Sequence, residues 1–134
     1  MRDTLAISSR RLGVPFSRDA AHTARAELAV ALHGSQLPQS VINDASIVVS
    51  ELVTNAVRHA SPGPDGRVGV EWGIEPHRLW LRVSDGGSRL DTQGGQPHES
   101  VGGRGLSIVA ALADAWDFQR HETGTTVTAV FELV

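Results

Sequence analysis

Glu51 and Asn55 stand four residues apart in the stretch from Glu51 to Ala60, inside an otherwise apolar helical pattern. At that spacing the two side chains leave one face of a helix together. A carboxylate and a carboxamide aimed at one point can hold a hydrated divalent cation and take a proton from a nucleophile. The same residues also fit a plain solvated face. Val41, Ala45, Val48, Val49, Leu52, Val53, Ala56 and Val57 trace a buried stripe, and Asp44, Glu51, Asn55, Arg58 and His59 lie opposite it.

Three later segments have chemistry of their own. Val83, Ser84, Asp85, Gly86 and Gly87 put an acid and two glycines at the end of an apolar strand. Asp-Gly is a common turn pair, yet a carboxylate at a pocket floor also accepts the exocyclic amino hydrogen of adenine, with a glycine admitting the base. Gly102, Gly103, Arg104, Gly105 and Leu106 stand directly before an apolar helix. They read either as flexible linker or as a helix entry whose free amides hold phosphates, with Arg104 adding a charged fork. Gly124, Thr125 and Thr126 precede the last strand; their hydroxyls are ordinary strand threonines or partners for adenine.

The elements that must position these residues follow from periodicity. Residues 5 to 16 suit a short edge strand with Pro15 near its end, and Ser17 can cap a helix from Arg18 to His33 that Gly34 ends. Pro38 opens a second helix at a favoured first-turn position; it carries Glu51 and Asn55 and stops near Ser61 to Pro64. Val68, Val70 and Trp72 alternate, as do Leu79, Leu81 and Val83, which predicts an antiparallel pair around Pro76. Residues 84 to 103 form a long glycine-rich polar loop, Leu106 to Ala115 read as an apolar helix, and strands follow near residues 116–120 and 125–133. Helices first and strands last predict an α+β fold, a two-layer sandwich with a mostly antiparallel sheet and helices on one face.

Composition narrows the chemistry. The 134 residues, 40% of them hydrophobic, suit one domain over 1–134. A net charge of -3 gives no electrostatic case for nucleic acid or anionic membrane. There is no cysteine, and all 12 basic residues other than histidine are arginine. Thiolate chemistry, a Walker lysine and Schiff bases are therefore excluded. No run approaches the ~18 apolar residues of a membrane span, and a soluble cytoplasmic protein is expected.

Taken in order, Glu51 with Asn55, Asp85 to Gly87, Gly103 to Leu106 and Gly124 to Thr126 resemble the N, G1 and G2 boxes of the GHKL ATPase superfamily, the Bergerat fold. Within it, the chain is similar to the small anti-sigma-factor serine kinases. The resemblance implies ATP and Mg²⁺ as cofactors, with Asn55 on the metal and Glu51 as general base. It implies that Asp85 recognises adenine with Thr126 nearby, and that Gly87 admits the base. Gly103, Arg104, Gly105 and Leu106 would form the phosphate-binding box, and residues 88–101 the ATP lid. One departure is Arg89 where the first glycine box usually has its last glycine, which bears on lid geometry. Arg58 and His59 continue the helix in a neighbourhood that the resemblance turns toward the nucleotide, and they equally fit a solvent-facing helix end; His98, in the lid, is read as a surface histidine. The implied partners are a sigma factor and an anti-anti-sigma (STAS) protein whose serine or threonine is phosphorylated, and the implied assembly is a homodimer. Two other readings remain: a non-catalytic ATP-dependent interaction switch, and the catalytic domain of a histidine kinase system.

Overall fold

The computed structural model describes residues 8–87 and 106–133. In chain order the elements are β1 (Ser8–Pro15), α1 (Ala20–His33), α2 (Gln39–His59), β2 (Arg67–Glu75), β3 (Arg78–Asp85), α3 (Ser107–Leu112), β4 (Ala115–His121) and β5 (Gly124–Glu132). The five strands form one open sheet in the order β1-β2-β3-β5-β4, every neighbouring pair antiparallel. The expected α+β sandwich is present.

Strand alternation divides the sheet into two faces. Val14, Val68, Val70, Trp72, Leu79, Leu81, Val83, Val127, Ala129 and Phe131 are buried in the core. Against them α1 brings Ala20, Ala24, Leu28 and Leu32, and α2 brings Ala45, Val48, Val49, Leu52, Val53 and Ala56. Many of these helical core residues are alanine or valine, and small side chains let the two helices approach the sheet and each other closely. Residues between the buried ones, such as Glu71, Trp80, Arg82 and Thr128, are half-buried on the face away from the helices.

Element ends differ from the expectations in ways with local causes. Ser17 does not cap α1 with its hydroxyl. The cap position is Asp19, without a side-chain bond, and the Ser17 carbonyl accepts the Ala20 N–H at 3.1 Å. Pro38 is the N-cap of α2 and not its first residue, its carbonyl accepting from Ile42 at 3.1 Å. The last helix stops at Leu112, three residues early, because Asp114 already belongs to the sheet edge. Its N–H donates to Val130 O at 2.8 Å, and its Oδ2 accepts the Glu132 N–H at 2.7 Å. Helical apolar periodicity at 106–115 was overridden by pairing with β5. The lid at 88–101, with Arg89 and His98, and Gly103, Arg104 and Gly105 lie outside the described residues.

Candidate functional site

α2 presents Glu51 and Asn55 one turn apart near its C-terminal end. Glu51 is half-buried, whereas Asn55 is only 7% exposed although its neighbours on the stripe are apolar. Among the described residues Asn55 Nδ2 has no hydrogen-bond partner. A buried amide group without a partner costs about 1–3 kcal/mol, so the side chain is held for something other than packing. The unpaired atom is a donor, so it fits an acceptor oxygen of a ligand, and only the carboxamide oxygen could meet a cation. Among the described residues no group of three or more histidines and acids is arranged to hold a metal ion.

Asp85 ends β3 on the helix side of the sheet and is also 7% exposed. Its Oδ1 accepts two hydrogen bonds, from the Gly87 N–H at 2.8 Å and from Thr125 Oγ1 at 2.6 Å. The second follows from register: Asp85 and Thr125 are direct partners in the β3–β5 ladder and share a face. Sequence reasoning placed Thr126 beside Asp85. The structure instead pairs Thr126 with Ser84 on the opposite face, where it bonds Ser84 at 3.2 Å and His121 Nε2 at 2.7 Å. Thr125, 1% exposed, which the sequence left as an ordinary strand threonine or an adenine partner, is the one that meets Asp85. Counting the two-residue period back from the expected core position Val127 would have found it.

The helix end and the strand end are tied together. Gly86 N–H donates to Ser61 O at 2.7 Å, and Ser61 N–H donates to Gly87 O at 2.9 Å. A side chain at Gly86 would run into the Pro62 carbonyl, so only glycine permits this approach. Gly124 serves similarly on β5: its φ is +148°, and a Cβ there would strike the Asp85 carbonyl. The turn after Asp85 and the end of the Asn55 helix therefore form one rigid corner. Leu106, 3% exposed, stands at the entry of α3 and packs into the core, so its side chain anchors the helix. Arg58 is exposed and His59 half-buried at the end of α2.

A helical layer over an antiparallel sheet, with an acid at a strand end joined to a helix that carries a buried asparagine, defines an ATPase-type domain of the histidine-kinase class. The model of the histidine kinase-like ATPase domain matches residues 14–131, and the chain belongs to that family. It is similar to the serine-protein kinase RsbW of Listeria innocua, 37% identical over 86 residues, 54% of this chain and 55% of that protein. The serine-protein kinase RsbW of Bacillus subtilis is 35% identical over 99 residues, 64% of this chain and 61% of its own length. The chain thus spans little more than half the length of the relatives it matches. Among solved structures, the RsbU and RsbW domains of a Mycobacterium tuberculosis protein align with a TM-score of 0.74 at 24% identity, over 94% of this chain and 32% of that one. That likeness concerns the fold.

Proposed function

We infer that this chain is an ATP-dependent serine/threonine protein kinase of the anti-sigma type. The reading rests on one observation above all: a buried Asn55, its Nδ2 without a partner among the described residues, on a helix whose end is hydrogen-bonded to the turn that holds Asp85. Mg-ATP, when bound, supplies the phosphoryl group and the cation that neutralises its charge. Asn55 offers its carboxamide oxygen to the metal. Asp85, oriented by Thr125 and the Gly87 amide, accepts the adenine amino hydrogen, which selects adenine over bases lacking that donor. Glu51 accepts the proton of the attacking hydroxyl, and the shared corner between α2 and β3 keeps it in register with the nucleotide. Gly103, Arg104 and Gly105 bind the phosphates, with Leu106 seating the helix that follows.

Two RsbW proteins named serine-protein kinases support a protein hydroxyl as acceptor. The partners proposed are a STAS-domain anti-anti-sigma protein as substrate and a sigma factor as the sequestered target, with the chain acting as a cytoplasmic homodimer of single domains over 1–134. No helix among the described residues is long and apolar enough to cross a membrane. The test is a pull-down with and without Mg-ATP, followed by phosphosite mapping on what is recovered. Phosphoserine or phosphothreonine on a STAS partner is the expected result. ATP-dependent capture with no label would replace the kinase by a nucleotide-controlled interaction switch, and acid-labile phosphohistidine would point to a histidine kinase system.

A further inference from the structure

Thr126 belongs to a different place on the molecule, a cleft on the face of the sheet away from the helices. One transverse row of that face reads Gly13, Gly69, Ser84, Thr126 and Gln119, each directly paired with the next. Two glycines side by side leave the row without side chains at one end, and a pair of hydroxyls occupies its middle. The resulting trough has a volume of about 580 Å³, within the range of small-molecule sites. Elsewhere on this face, outside the trough, Arg82 is committed to Thr128 at 3.1 Å and Glu71 at 3.3 Å, and stacks over Trp80 at 4.8 Å.

The polar groups that open into the trough are mostly donors. Arg11 and Arg67 stand at the glycine end, and His121 at the other. Arg67 is fixed across the floor by a 3.3 Å bond from one guanidinium nitrogen to Gly13 O, leaving its other N–H groups for a ligand. The one carboxylate among the lining side chains on this face is Asp65: its Oδ1 accepts the Arg67 backbone N–H at 3.0 Å, and its Oδ2 lies near the Gly13 floor, where the guanidinium groups of Arg11 and Arg67 must outweigh it. Asp85 also borders the cleft, but its Oδ1 is bonded to Thr125 on the helix side.

The hydroxyls add a switchable donor. His121 Nε2, Thr126 Oγ1 and Ser84 Oγ form a chain with separations of 2.7 and 3.2 Å. When Nε2 carries the hydrogen, His121 donates to Thr126 and Thr126 to Ser84, so the Ser84 hydrogen turns into the trough. In the reverse sense that hydrogen is consumed inside the chain. An anion in the trough selects the first arrangement, gaining the Ser84 donor together with the guanidinium groups.

We propose that this outer cleft, whose rim at the strand ends includes Asp85, Gly124 and Thr125, is a second binding site, for a small phosphate-bearing polar molecule. Glycine backbone and hydroxyls form its floor, and Arg11, Arg67 and Ser84 hold the phosphate. The proposal does not depend on the nucleotide reading of the helix side.

The test is a titration of ¹⁵N-labelled protein with inorganic phosphate and, separately, glycerol phosphate, in saturating Mg²⁺ and a non-hydrolysable ATP analogue. Saturable shifts at the amides of Gly69, Ser84 and Thr126 are expected. Arg67→Ala should weaken binding roughly tenfold, as loss of a charge-assisted contact requires. Gly69→Val should abolish it by filling the floor, and Gly69→Ala, whose Cβ has its nearest neighbour, Ser84 Cβ, at an ordinary 3.7 Å, should weaken it with the fold kept. Tighter binding of glycerol phosphate would identify an organic phosphate as ligand and equal binding free phosphate; either supports the site. Unsaturable shifts, or shifts that Arg67→Ala and Gly69→Val leave unchanged, would mean an adventitious ion only and overturn the proposal. Shifts confined to α2 and the Asp85 turn would do the same.

Discussion

Thr125 Oγ1 donates a 2.6 Å hydrogen bond to Asp85 Oδ1 across the β3–β5 ladder, while the next residue, Thr126, bonds His121 on the opposite face of the sheet. The two hydroxyls differ by one position and one face. Thr125→Val keeps the shape but removes a donor from a buried carboxyl group, and should lower adenine-nucleotide affinity by roughly tenfold. Thr126→Val should leave that affinity within about twofold, as expected of a site not touching the ligand. Isothermal titration calorimetry with ATP and Mg²⁺ decides between them. Equal effects of the two variants would show that the helix-side face does not hold the base.

Asp85→Ala removes the acceptor itself. Selectivity for ATP over GTP should collapse, since without the carboxyl group nothing in the turn distinguishes an amino group from a carbonyl. Competition binding with the two nucleotides measures it; preserved selectivity would move adenine recognition elsewhere.

Glu51 is half-buried beside Asn55, where a proton acceptor can reach a hydroxyl without being cut off from solvent. Glu51→Ala should keep ATP binding and reduce phosphotransfer by ~10²-fold or more. Single-turnover transfer to a phosphorylatable partner is the readout. A rate like that of the unaltered protein would take Glu51 out of the chemistry and leave it on a solvated face.

Gly86 joins the two halves of the site by its bond to Ser61, at 2.7 Å. Gly86→Ala forces a methyl group against the Pro62 carbonyl, and should destabilise the fold by about 1–3 kcal/mol, the usual cost of overpacking. Thermal unfolding with and without Mg-ATP should show a lowered midpoint and a smaller nucleotide-dependent rise than in the unaltered protein. An unchanged midpoint would mean that this corner yields freely.

What could be read from the sequence follows from which interactions are local. The α1 and α2 stripes, the strand pair around Pro76 and the apolar pattern of the last strand rest on periods of 3.6 and 2, which neighbouring residues impose on one another. The same logic put Glu51 and Asn55 on one helix face. Asp114 lay beyond this reach. It falls inside the stretch 106–115 that reads as an apolar helix, yet its backbone N–H finds Val130 and its carboxyl group finds the Glu132 N–H in the strand that comes later in the chain. Ser17 is similar: its residue type suits a helix cap, but the turn before α1 uses its carbonyl.

By itself, then, the sequence determined the helix-then-strand order, the absence of thiol and lysine chemistry, and the candidates Glu51, Asn55 and Asp85, because residue type and spacing along one element suffice for each. Only tertiary structure decided which threonine meets Asp85, since cross-strand register sets the face and a shift of one residue reverses it. It also decided that Asn55 is buried with its Nδ2 unpaired among the described residues, and that Gly86 must be glycine. Both depend on segments distant in sequence, the sheet beneath α2 and the Ser61–Pro62 backbone, coming within hydrogen-bonding distance only when the chain is folded.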